Sequence, residues 1–166
     1  MTIMYVIGFL VLVSIFCIAY YFYTLDTYIV KVKKSQIMEF KTSMDLTGLP
    51  IITFYQGKEK YNFLLDTGSN ISYVNEKANL EVTRTGVKDV FMGAEGKDMD
   101  CENIIVKLYR NNNEYDCKAA LADLSAAFEE LKKSYGVTIS GILGCDFMDK
   151  YNYCLDFKEL VIYIRK

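Results

Sequence analysis

The chain contains no histidine. That absence excludes Ser-His-Asp and Cys-His catalysis and every zinc site that needs an imidazole. The five cysteines stand singly at positions 17, 101, 117, 145 and 154, and no two have C-x-x-C spacing. Neither a thiolate metal site nor a dithiol redox motif is signalled, so no metal or other cofactor is expected. An odd number of cysteines suits a reducing compartment better than a disulfide framework, although Cys101 and Cys117 remain open as a pair across a hairpin. A single proline and 10 glycines in 166 residues fit one compact domain with an appendage. The net charge is −2 with both signs interspersed, so there is no basic stripe and no nucleic-acid partner is expected. Internal repeats and low-complexity tracts are also lacking.

Charge is missing altogether from Ile3 to Tyr23. An uncharged run of about 20 residues matches the length a helix needs to cross the hydrocarbon core. Tyr20, Tyr21, Phe22 and Tyr23 cluster at its far end, where an aromatic belt meets the headgroups. A cleaved signal peptide is the rival reading. No Lys or Arg precedes the run and no small-residue cleavage site follows it, which favours a retained anchor over residues 1–25. The large Phe16 before Cys17 likewise argues against a lipoprotein site. Lys31, Lys33, Lys34 and Lys41 follow the run, so the positive-inside bias places the remainder in the cytoplasm of a single-pass membrane protein. Residues 26–47 read as a polar connector with one possible strand from Ser35 to Phe40.

From Leu49 the texture becomes β. Ile51 to Tyr55 is rich in strand formers, Gln56-Gly57-Lys58-Glu59 is a turn, and Tyr61 to Leu65 returns as a second strand. Ile71 to Val74 is a short apolar stretch, and Leu80 to Lys88 is polar and expected to be irregular. Val90-Phe91-Met92 and the strong strand Ile104 to Tyr109 flank Gly93-Ala94-Glu95-Gly96-Lys97, which reads as a hairpin tip. Arg110 to Glu114 is a turn, with Tyr115 to Leu121 as the returning strand. A helix starts near Asp123 or Ser125, with Leu124, Phe128, Leu131 and Tyr135 on one face and Gly136 placed to end it. Beyond it, Ile142 and Leu143 lie between Gly141 and Gly144, and Asp146 is suited to the start of a short helix. Tyr153 to Ile164 closes the chain with two strand-like arms around Lys158-Glu159.

The chemistry concentrates in Phe63-Leu64-Leu65-Asp66-Thr67-Gly68-Ser69-Asn70. Three successive apolar residues predict a strand covered on both faces. It delivers a carboxylate that must be paired, hydrogen-bonded or protonated, because an isolated buried charge is very costly. Gly68 allows close backbone approach, and Thr67 and Ser69 bring hydroxyls. Taken alone, this is equally a strand ending in an ordinary turn.

Joined to Gly141-Ile142-Leu143-Gly144 about seventy-five residues later, the stretch resembles the single-lobe, retropepsin-like aspartic proteases, in a bacterial membrane-anchored form. The resemblance covers roughly Leu49 to Lys166. It implies a mainly β, acid-protease-like barrel with one or two short helices over residues 48–166. Asp66 would be the catalytic residue, Thr67, Gly68 and Ser69 would support its loop, and Gly93, Ala94, Glu95 and Gly96 would form a flap. Ile142, Leu143 and Gly144 would be the structural apolar-Gly element. Retroviral members usually carry Arg where this chain has Cys145, and their flap matches less closely.

Aspartate-driven amide hydrolysis needs two carboxylates sharing one proton. Since Asp-Thr-Gly occurs once, the resemblance implies a homodimer with Asp66 from each protomer at a two-fold axis. A polypeptide substrate would lie in the groove as an added strand. Two alternatives lead elsewhere: a non-catalytic, membrane-tethered peptide-binding module of the same fold, and an unrelated β interaction domain in which Asp66 is a turn residue.

Overall fold

A computed structural model of the chain describes residues 11–21, 37–92 and 98–164. It separates into two units, 1–31 and 32–166. In the first, residues 11–21 are helical (α1), with Val11, Leu12, Ile15, Phe16 and Ile18 exposed. Among the described residues no helix is long and apolar enough to cross a membrane. The rest of the expected span, 3–10 and 22–23, lies outside the described residues.

The second unit is mainly β. Strands β2 (Ile51–Gln56) and β3 (Glu59–Leu65) form the expected hairpin, in full register from Ile51 opposite Leu64 to Gln56 opposite Glu59. They continue into β4 (Tyr73–Asn75), β5 (Val82–Met92), β6 (Asp98–Arg110), β7 (Asn113–Ala122) and β8 (Gly141–Leu143). The sheet order is β2-β3-β8-β4-β7-β6-β5, and a further β2–β6 pairing at Tyr55 and Tyr109 closes six of the strands into a barrel. Closure leaves β5 outside the ring, bonded along one side to β6.

Three short helices accompany these strands: α2 (Lys41–Thr47), α3 (Ser125–Tyr135) and α4 (Cys145–Lys150). A separate antiparallel sheet is ordered β1 (Ile37–Glu39), β10 (Val161–Ile164), β9 (Tyr153–Asp156).

Alternation along the strands builds the core. Ile52 and Phe54 of β2, Tyr61, Phe63 and Leu65 of β3, and Ile104, Val106 and Leu108 of β6 point to one apolar cluster. Phe54 is its hub, meeting Phe63, Tyr115 and Phe147 edge-on at ring-centroid distances of 5.9, 5.6 and 6.2 Å. Edge-to-face geometry sets the electropositive rim of one ring against the negative face of the next, adding about 0.5–1.5 kcal/mol per pair beyond area burial.

Two expectations need correction. The folded unit begins well before residue 48: Met38 and Phe40, in the expected connector, are 0% and 2% exposed within the main core. β1 pairs with β10 from Ile37 opposite Tyr163 to Glu39 opposite Val161, so the far end of the chain recruits this segment. Residues 41–47 are the helix α2, which Gly48 ends in a left-handed conformation with φ 73°. The Leu80–Lys88 stretch, expected to be irregular, belongs largely to strand β5. Its register against β6 shifts between Arg84 and Lys88, where Gly86 takes φ 74°. Thr83 to Val90 are exposed on both faces, so the strand carries no apolar alternation to announce it.

The cysteine question also resolves. No disulfide joins Cys101 and Cys117. Cys117 lies opposite Val106, five positions along β6 from Cys101, or about 17 Å at the usual rise of a strand.

Candidate active site

Asp66 is the first residue beyond β3, and the main chain fixes it before any side chain acts. β8 runs parallel to β3, pairing Phe63 with Gly141, Leu64 with Ile142 and Leu65 with Leu143. The ladder continues one step further, since the Asp66 amide donates to the Leu143 carbonyl at 3.0 Å. On its other side β8 pairs antiparallel with β4, Tyr73 opposite Ile142 and Val74 opposite Gly141. Strands β3 and β4 are consecutive in the chain yet not neighbours, because β8 is inserted between them. The connection 66–72 must therefore pass over the end of β8.

Glycine makes that passage possible. A Cβ on Gly144 would lie 2.4 Å from the Ile71 carbonyl oxygen and 2.8 Å from that of Ser69. A Cβ on Gly141 would lie 2.3 Å from the Tyr73 oxygen and 2.6 Å from the Phe63 ring. Both obstacles include backbone, which cannot swing away. The apolar pair between two glycines is thus a strand threaded through its neighbours, with Leu143 fully buried and Ile142 half-buried.

Within the loop the Asp66 carboxylate faces its own turn. Its Oδ1 accepts the Gly68 amide at 2.9 Å, and its carbonyl accepts the Ser69 amide at 3.2 Å. Ser69 Oγ donates to the Ile71 carbonyl at 2.7 Å. From the other side the first turn of α4 grips the loop: the Cys145 amide donates to Ser69 O at 2.8 Å and the Asp146 amide to Asn70 O at 3.3 Å. Cys145 Sγ lies 3.3 Å from the Thr67 carbonyl. Asp66 and Ser69 are half-buried, while Thr67 and Gly68 are exposed. A carboxylate oriented by a backbone amide and left at the surface is available to a second reacting group.

Sequence reasoning missed a pair that stabilises this arrangement from below. Ser72, fully buried, donates to Asp146 Oδ1 at 2.7 Å and accepts the Gly144 amide at 3.0 Å. The same Asp146 oxygen accepts the Phe147 amide at 2.7 Å. One side chain from each half of the motif thereby joins the loop to α4. Asp146 was legible as a helix-start residue, and it does lie in the first turn of α4. Ser72 carried no signal, because its partner comes from 74 residues away.

Cys117 lies near this pair, and burial pushes its thiol up to about 12, with Ser72 opposing and Asp146 reinforcing the shift. Tyr73 is raised by burial first, then by Cys101 and Asp146. Behind the loop, Ile71, Tyr73 and Ile142 pack on a small cluster of Cys101, Ala120, Ala122 and Leu124.

The structure brings together Asp66, Thr67, Gly68, Ser69, Ile142, Leu143 and Gly144. The flap candidates Gly93, Ala94, Glu95 and Gly96 lie outside the described residues. The strands that lead to them, β5 and β6, pair as far as Met92 opposite Asp98. Among the described residues no group of three or more His, Cys, Asp or Glu side chains could hold a metal ion. No protein-family model matches the chain, and no curated protein matches it.

Proposed function

We propose that the chain is an aspartic endopeptidase of the single-lobe, retropepsin-like kind, working as a homodimer. The observation that carries this reading is the threaded site: Asp66-Thr67-Gly68-Ser69 closes over Gly144 at the end of β8, inside a closed six-strand barrel. An ordinary Asp-Gly turn requires no second strand beneath it. Here two glycines and the buried Ser72, bonded to half-buried Asp146, are devoted to holding one exposed loop in shape.

Chemistry follows from carboxylates placed in pairs. When two Asp66 side chains meet across a two-fold axis, mutual repulsion keeps one of them protonated. The ionised member takes a proton from water, which attacks the scissile carbonyl, while the protonated member donates to the carbonyl oxygen. The proton next passes to the leaving nitrogen as the C–N bond breaks. No covalent intermediate forms. The exposure of Thr67 and Gly68 at the loop apex supports this reading, in which they meet their copies across the axis. The substrate is an extended polypeptide added as a strand, with side chains entering alternate pockets.

In this reading the apolar N-terminal run anchors the enzyme in a bilayer with the β unit on the cytoplasmic side. Confinement to one membrane raises the effective concentration of protomers and favours pairing.

Asp66→Asn preserves shape and removes the shared proton. Purified full-length Asp66→Asn protein is expected to lose peptide cleavage, by about three orders of magnitude or more for a reaction that depends on general acid–base catalysis. Its circular dichroism and sedimentation should match those of the parent. Undiminished turnover in the variant would sink the mechanism.

A further inference from the structure

A broad cleft of about 1050 Å³ opens between α3 and the segments around β3 and β4, away from the Asp66 loop. Asn62, in its wall, lies four residues before Asp66 on the chain, about 13 Å at the usual rise of a strand. Four lysines line it: Lys60, Lys77, Lys132 and Lys133, against the acids Asp123 and Glu129. Two of the four are already committed. Lys77 Nζ lies 3.0 Å from Glu76 and 3.7 Å from Asp123, and Lys133 lies 2.8 Å from Glu129. Lys60 and Lys132 have no ion-pair partner among the described residues, and they approach the cleft from different elements, β3 and α3. Two uncompensated cations thus face one cleft in a chain whose net charge is −2.

We propose that this cleft is a docking site for an acidic polypeptide segment, independent of the cleavage reaction at Asp66. Size and chemistry select the occupant. The volume is at or above the upper end of small-molecule pockets, which run to about 1,000 Å³. No arginine lines the cleft, so there is no planar fork to grip phosphate bidentately. With Asp123 and Glu129 paired to Lys77 and Lys133, the two remaining cations match a few carboxylates spaced along a peptide rather than a densely charged polyanion. Phe128, half-buried in the wall, gives apolar side chains between those carboxylates a surface to lie on.

The test uses the purified full-length chain and a fluorescent glutamate–alanine peptide, read by anisotropy, with a glutamine–alanine peptide as the neutral control. The glutamate peptide is expected to bind and the neutral one not to. Binding should weaken about tenfold or more in Lys60→Glu/Lys132→Glu, and on raising salt from about 50 to about 300 mM. Lys60→Gln/Lys132→Gln should weaken it less, and Asp66→Asn should leave it unchanged. Both lysines are exposed, and circular dichroism checks that the double variants are folded. Absent binding of the glutamate peptide, or equal binding by the charge-reversed variant, overturns the proposal. Displacement by a single-stranded oligonucleotide at lower concentration than unlabelled glutamate peptide would overturn the choice of an acidic polypeptide.

Discussion

Around the Asp66 loop the chain is packed so closely that no side chain fits at Gly144, whereas along β5 every residue from Thr83 to Val90 is exposed. Both regions belong to one sheet. In the first, β8 has a neighbour on each edge and the hydrogen-bonded Ser72–Asp146 pair beneath it. In the second, β5 has one neighbour, and polar contacts at its surface support the pairing: Arg84 with Glu102, and Asn103 Nδ2 donating to Asp89 at 2.5 Å. Exposed ion pairs of this kind contribute only about 0–1 kcal/mol. One sheet is therefore closely packed around the Asp66 loop and held by little more than its own ladder along β5.

The sharpest way to break this contrast is Gly144→Val. Its Cβ would overlap the Ile71 carbonyl, so stability should fall by about 3 kcal/mol or more, read as a drop in the urea midpoint. An unchanged midpoint would mean that the loop is not held down on β8. Ser72→Ala comes next: it strips the buried Gly144 amide of its acceptor and Asp146 of a donor, at a cost of about 1–3 kcal/mol. Peptide cleavage should fall with it, and a larger loss in kcat than in KM would mark Ser72 as a positioning residue.

Acid–base behaviour supplies a third comparison. The Cys117 thiol is raised in the folded state to about 12, from an ordinary value of 9.0. Its contribution to stability is fully present below the unfolded value and is lost as pH rises from about 9 towards about 12. Denaturant melts across that window should show stability falling with pH, and Cys117→Ala should flatten the slope. Near neutral pH an alkylating reagent should spare Cys117 in the folded protein and reach it on unfolding. The smallest effect belongs to the open arm: Val90→Thr, at a residue 61% exposed, should change stability by no more than about 0.5 kcal/mol.

What the sequence revealed divides along the same line. The β2–β3 hairpin, the Asn-rich turn before β7, the helix α3 up to Gly136 and the short helix at Asp146 were legible, because local signals mark each of them. Leu124 and Phe128 pack as the apolar face of α3 requires, but Tyr135 stays 46% exposed and no residue of that helix is buried. The first part of β5, from Val82 to Asp89, was missed because a strand exposed on both faces has no period to detect. β1 falls inside the possible strand Ser35 to Phe40, but its place in the core, and the helix α2, were missed for a different reason. Met38 and Phe40 are buried by β10 and its neighbours, more than 100 residues downstream, and no local window contains that partner. In the site, the two glycine-bounded motifs were visible as residues, while the inserted order β3-β8-β4 and the Ser72–Asp146 pair exist only once the chain has folded.

The insertion of β8 also constrains timing. The strand that the Asp66 loop rests on begins at Gly141 and needs Gly144 to fit, so the loop has no floor until the chain has been made well beyond Asp66, as far as Gly144. Pairings of such long sequence separation form late and slowly, since loop closure must precede the contacts that reward it. A chain still emerging from the ribosome thus carries Asp66 exposed on an unsupported turn. For a protein read as a protease, late assembly is a safeguard: the site takes shape only after the distant strand beneath it has been synthesised.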